Sequence, residues 1–192
     1  MTLKNYIKGF TLIELLVTMT VLVIVITVGV PSFQNLIKNN RLRTTTNTLV
    51  LDINYARSEA IKRGMKVILC RSSDPQTSNP SCSGNSKEWS NGWILFASQD
   101  SNTIYDTGTD VLLKRTEINA VGISIIANNN ADSSLSFNSD GSKLGSVSEA
   151  KYAICDDRDI TYGREITITN TGRPGLITGS NSIPITSCDN PG

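Results

Sequence analysis

An apolar run near the start of the chain constrains it more than any other feature. The run extends from Phe10 to Val30 and is broken by one carboxylate, Glu14. From Leu15 through Ile37 no residue is charged, and about 20 such residues in a helix suffice to cross a bilayer. Thr18, Thr20 and Thr27 are tolerable there, because a helical threonine can bond its own backbone carbonyl. Ahead of the run, residues 1–9 form a short polar leader with Lys4 and Lys8 and no acid. A cleaved secretory signal also begins with an apolar run, but no small-residue cleavage site follows this one. Glu14 also argues against that reading. A carboxylate inside an apolar segment costs on the order of a few kcal/mol unless a partner compensates it. It therefore marks either a pairing site or, more simply, a side chain resting at the membrane interface.

The segment Lys8-Gly9-Phe10-Thr11-Leu12-Ile13-Glu14-Leu15 resembles the processing site of type IV pilins and pseudopilins. The resemblance implies that a prepilin peptidase cuts between Gly9 and Phe10 and methylates the new amino terminus. It implies a single-pass protein of the bacterial inner membrane with a periplasmic head, held in lipid before assembly. The helix would then pack with other minor and major pilins, driven by an inner-membrane assembly platform. Glu14 would pair with the α-amino group of a neighbouring Phe10, and that pairing would set register, since an unpaired buried charge is strongly unfavourable. The flanking charges do not set topology by themselves: Lys4 and Lys8 lie on one side of the run, and Lys38, Arg41 and Arg43 on the other.

Pro31 falls inside what should be one helix, where it removes a backbone donor and bends rather than ends the helix if neighbours compensate. Beyond it, Leu42, Thr46, Leu49, Ile53, Ala56 and Ala60 recur on one helical face. Ile61 is expected to widen that stripe. Gly64 suits the position after the last turn, which holds Lys62 and Arg63. A helix from about Thr11 to Arg63 would be roughly 80 Å long at 1.5 Å per residue. The expected organisation is a leader (1–9), a membrane or fibre-core helix (10–31), an amphipathic helix (32–64) and a β-rich head (65–192).

After Gly64 the pattern changes to short apolar runs between Ser, Asn, Gly and Asp clusters. Expected strands are Lys66–Cys70, Trp93–Ala97, Val111–Arg115, Ile123–Ile126, Ser134–Asn138, Lys151–Cys155, Arg164–Thr169 and Leu176–Thr178. One long helix followed by such strands predicts an α+β fold, the helix laid on antiparallel sheets. Four cysteines, Cys70, Cys82, Cys155 and Cys188, form no CxxC. Beyond a membrane span an even count reads as disulfides. Three pairings are open. The favoured one joins Cys70 to Cys82 across the Pro/Ser/Asn loop, and Cys155 to Cys188.

A second set of segments resembles the GspH/FimT family of minor pilins: Val67-Ile68-Leu69-Cys70, the stretch from Trp89 to Phe96, Ile154-Cys155-Asp156-Asp157-Arg158, and Arg164 through Arg173. The resemblance implies the type IV pilin fold and a role in starting or capping a pilus or pseudopilus. It also implies a second role found in some members, DNA capture through a late G-R-x-R motif. Here the matching residues are Gly172-Arg173-Pro174-Gly175, so the second arginine is replaced by Gly175. Residues around Arg173 that could join a phosphate-binding patch are Lys143, Arg158 and Arg164, with Lys151 nearby in sequence.

Charge weighs against DNA. The chain's net charge of +1 is an average over unlike halves. Residues 1–64 carry eight basic and three acidic groups, net +5, and residues 65–192 carry ten and fourteen, net −4. An acidic head could hold phosphates only through a local, salt-sensitive patch. Catalysis is poorly served too. Histidine is absent, which removes Ser-His-Asp triads, Cys-His dyads and histidine metal sites. No phosphate-binding glycine loop is present. Asp100-Ser101-Asn102 and Asp106 to Asp110 lack the full calcium-loop spacing and read as hairpin loops. The expectation is a structural protein without cofactor or metal.

Overall fold

The computed structural model describes residues 9–84, 87–100, 102–128, 131, 133–145, 149–158 and 160–178. Its elements are one helix, α1 (Leu12–Arg63), and eight strands. These are β1 (Val67–Arg71), β2 (Gly92–Ala97), β3 (Val111–Glu117), β4 (Ser124–Ala127), β5 (Ser134–Phe137), β6 (Ala150–Cys155), β7 (Arg164–Ile168) and β8 (Pro174–Thr178). A single 3-10 turn, Ile160–Tyr162, precedes β7. The chain divides into two units, residues 1–39 and 40–192.

In the first unit every side chain from Gly9 to Ile37 is exposed. The helix continues through Pro31. The threonine hydroxyls turn back on the backbone as expected: Thr18 donates to the Leu15 carbonyl at 2.9 Å, Thr20 to Val17 at 2.8 Å and Thr27 to Ile24 at 2.9 Å. Each hydroxyl is thereby satisfied without water, so the stretch from Leu15 to Val30 presents an apolar surface.

In the second unit the rest of α1 buries the stripe Leu42, Thr46, Leu49, Ile53, Ala56 and Ala60. Ile61 does not extend it, being 47% exposed. Thr45, Asp52 and Glu59 widen the buried face instead. The helix stops at Gly64, whose φ of 65° is the left-handed conformation that favours glycine after a last turn.

Two antiparallel sheets complete the head, ordered β3-β2-β1-β5 and β4-β6-β7-β8. Side chains alternate across each strand. Val67 and Leu69 of β1 therefore join the main core with the helix stripe, while Ile68 and Cys70 face the other way. That second face is also buried, as a smaller cluster with Ile94, Phe96, Tyr105, Leu112 and Cys82. β1 and β2 are thus covered on both sides, which explains their continuous apolar sequence. Trp89 and Trp93 lie in the main core. Trp89 sits edge-on to Tyr152 at 5.0 Å between ring centroids. The turn into β2 requires glycine: Gly92 has φ 127°, and a Cβ there would lie 2.2 Å from the Thr116 carbonyl oxygen.

Candidate functional site

The sequence places two kinds of site on this chain: an assembly site at the start of α1 and a basic surface on the head. At the first, Phe10 is exposed and Thr11 stands immediately before the helix. The Glu14 backbone N–H donates to Thr11 Oγ1 at 3.3 Å. Glu14 Oε2 accepts from the Thr11 N–H and from its hydroxyl, both at 3.0 Å. This reciprocal arrangement is a capping box, which satisfies donors that a helix start leaves open. From the sequence Glu14 reads as a charge seeking a cation or resting at the membrane interface, not as a cap. The signal that reading passed over was the Thr-x-x-Glu spacing itself. Only one carboxylate oxygen is used: Oε1 has no intramolecular partner among the described residues. Gly9 has open space around it. Lys4 and Lys8 lie outside the described residues.

On the head the four basic residues singled out for phosphate binding do not form one patch. β7 runs from Arg164, which faces Ile154, to Ile168, which faces Ala150 and Pro174. Its two ends are about 13 Å apart at 3.3 Å per residue. Arg173 follows the β7–β8 turn at one end, and Lys143 joins it there through its N–H to the Asn170 carbonyl, 3.0 Å. Arg158 and Arg164 are at the other end.

Their environments differ as well. Lys143 is 6% exposed, and burial pulls its ammonium below its ordinary pKa, so it does not present a charge to a ligand in solvent. Arg158 is held by Asp156, with Nη2 at 2.5 Å and Nε at 3.0 Å from Oδ2. Its guanidinium lies 4.4 Å from the Tyr162 ring centroid. Arg164 is half-buried, and of the four only Arg173 is exposed. Gly172, just before it, has φ 73° and lies so close to Gly141 that a Cβ would meet that residue's carbonyl oxygen at 2.2 Å. The Arg173 backbone is therefore fixed by a turn that only glycine can make. Lys151 is paired with Glu165 at 3.3 Å.

A polar cluster that the sequence reading missed lies in the main core. Asp52 has no exposed surface. Its Oδ2 accepts from Trp93 Nε1 at 2.9 Å and from the Thr116 hydroxyl at 2.6 Å, and Oδ1 is paired with Lys114. The cluster ties α1 to β2 and β3, and the Lys114 side chain that closes it is 43% exposed. The available signal was an acid among the apolar positions of the helix stripe, with Lys114 and Thr116 on one face of a strand.

Cys70 and Cys82 form a disulfide with Cα atoms 5.5 Å apart. Cys155 is disulfide-bonded, and Cys188, its expected partner, lies outside the described residues. Among the described residues no group of acids and cysteines is arranged to hold a metal. The Asp100 and Asp106–Asp110 segments close the β2–β3 connection through local bonds, such as Gln99 N–H to Asp110 Oδ1 at 3.1 Å.

Residues 45–172 match the model of the type II transport protein GspH family. The chain belongs to the GspH family. Its start, residues 4–30, matches the prokaryotic N-terminal methylation motif. No curated protein sequence matches the chain. Two crystal forms of the type IV minor pilin FimU from Pseudomonas aeruginosa (strain PAO1) have a similar fold. One is 20% identical, with 77% of this chain and all of FimU covered and a TM-score of 0.55. The other is 19% identical, with 79% and 98% covered and the same TM-score. The fold is the type IV pilin fold, a long N-terminal helix packed on antiparallel sheets. GspH-family proteins of this kind are structural subunits, not enzymes, and interact with other pilins. The apolar helix and the prepilin-type motif together point to membrane anchoring.

Proposed function

We propose that this chain is a minor pilin that enters the inner membrane through residues 10–31, with its head in the periplasm, and then primes or caps a type IV pilus or related fibre. The observation that carries this reading is the start of α1. The helix from Leu12 to Ile37 exposes every side chain, which a chain in water cannot sustain without lipid or partner helices. Glu14 spends one oxygen on its own helix start and keeps the other for a neighbour. Prepilin peptidase would cut after Gly9 and expose the Phe10 amino group. An assembly platform would then draw the helix from lipid into the fibre core. Mass spectrometry of the chain from cells with the peptidase tests the first step. The expected mature chain begins with N-methylated Phe10, and an intact leader would contradict the reading.

The GspH match supports a related role in a type II secretion pseudopilus, and the likeness to a type IV minor pilin supports a role in a pilus. DNA capture is the further alternative, supported by the open guanidinium of Arg173 on its glycine-fixed turn. It predicts that full-length protein in detergent retards duplex DNA at low salt, and that Arg173→Ala abolishes the shift. No shift at low salt contradicts it.

A further inference from the structure

Glu88 precedes β2 and is half-buried. Its backbone is fixed on both sides: the Trp89 N–H donates to the Ile125 carbonyl at 2.8 Å, and the Ala127 N–H donates to the Lys87 carbonyl at 2.7 Å. Its carboxylate makes no hydrogen bond and no ion pair among the described residues. Lys87 is its neighbour in sequence, and Arg71 packs behind Gly84, where a Cβ would lie 3.6 Å from Nε. Both cations are engaged elsewhere. Glu88 lines a cleft of about 130 Å³ together with Ser72, Ser73, Ser83, Gly84 and Asn91. The Cys70–Cys82 disulfide holds one wall by setting the end of β1 against the returning loop. There the Ser83 N–H donates to the Arg71 carbonyl at 3.1 Å, and the Ser73 N–H donates to Ser83 Oγ at 3.3 Å. Ser72 is 2% exposed, and its hydroxyl has no hydrogen-bond partner among the described residues. An unspent buried hydroxyl and an unanswered half-buried carboxylate are both unfavourable, and here they border the same small space.

The lining selects what can enter. Glu88 is the one acid or base in it, so an anion is repelled, and no apolar side chain lines it, so an apolar group gains little there. The side chains of Glu88, Ser72 and Asn91 offer oxygen acceptors to a donor that carries positive charge. A lysine ammonium has three N–H donors and no acceptor, which matches that set. A guanidinium is a planar fork suited to a bidentate partner, and a divalent metal would find a single carboxylate here. The volume also discriminates. It is well below the roughly 300–1,000 Å³ of pockets that enclose a whole small molecule, so the cleft suits the end of one side chain. Glu88 also borders a second cleft with Asp156 and Asp157, where Asp156 is held by Arg158.

We propose that this cleft receives the ammonium group of a lysine side chain from another protein chain, with Glu88 supplying the countercharge and Ser72 and Asn91 accepting hydrogen bonds. The probe that stands for the lysine end is n-butylammonium chloride. Full-length protein in neutral detergent is titrated with it up to about 100 mM, where screening still leaves a reach of about 10 Å. Backbone amide NMR shifts of Ser73, Gly84 and Asn91 report the binding. A saturating shift is expected with n-butylammonium and not with tetramethylammonium, which carries the charge without N–H donors. Glu88→Gln should weaken the binding on the order of tenfold, and Ser72→Ala should weaken it too. Asn91→Ala, at an exposed position, should do the same and keeps the test open if the Ser72 variant fails to fold. The absence of a saturating n-butylammonium shift overturns the proposal, and so does an equal shift with tetramethylammonium, which marks surface charge alone. Tighter binding of n-propylguanidinium assigns the cleft to arginine and overturns it. A shift with calcium chloride that Glu88→Gln removes, without one from n-butylammonium, assigns it to a metal and overturns it. A loss with Asp157→Asn equal to that with Glu88→Gln places the cation in the adjoining cleft, which also overturns it.

Discussion

Asp52 receives hydrogen bonds from two strands whose residues lie 41 and 64 positions away in sequence. That separation is why its role was not legible: in sequence it is one acid on a helix, and its partners become neighbours only when the sheet forms. Removing it strands the Trp93 and Thr116 donors in the core. Asp52→Ala is expected to destabilise the head by about 3 kcal/mol or more, measured by thermal unfolding of the full-length protein in detergent. Glu59 gives a pH-dependent counterpart. Its carboxylate is held by Arg63 at 2.6 Å, with Lys62 adding to the effect, and its pKa is lowered. A lowered carboxylate pKa stabilises the fold above the ordinary range near 4.3, and that contribution is lost as pH falls through the folded value. The stability gap between wild type and Glu59→Gln should therefore be open at neutral pH and close in acid. A gap that widened in acid would contradict the assignment. Glu14 was partly legible: its position in the apolar run marked it, but its capping bonds to Thr11 did not enter that reading.

All eight expected strands are present, with ends shifted by a few residues at most. Alternation such as Val67/Leu69 against Ile68/Cys70 survives in a sequence because each face has a different burial partner. What alternation could not convey was that the outer face of β1 and β2 is buried as well. The loop closed by Cys70–Cys82 supplies Cys82 to that smaller cluster. Replacing both cysteines with serine should cost about 3 kcal/mol, the usual value for a loop of this order. Denaturant unfolding with and without reductant measures it, and wild type should fall to the level of the variant when reduced, less any contribution of the Cys155 disulfide. The basic patch failed for a reason on the same scale. Arg164 and Arg173 lie nine positions apart in sequence, but they stand at opposite ends of β7, and Lys143 is folded inward.

At the scale of the whole molecule, the chain joins an exposed apolar helix to an acidic head with its own packed core. The helix and the prepilin motif were legible because membrane spans and processing sites are local in sequence. Which fibre the chain serves is not local, because it depends on surfaces of other subunits. On the proposed function, Glu14 brings the helix into a fibre by pairing with a neighbouring amino terminus. The most direct measurement compares wild type with Glu14→Ala in sheared fibres and in membranes, by immunoblot, from cells that make the other pilins. Equal amounts are expected in the membrane, with a fall of tenfold or more in the fibre fraction, in proportion to a lost charge pair of about 1.4 kcal/mol or more. Equal incorporation of Glu14→Ala and wild type into fibres would contradict it.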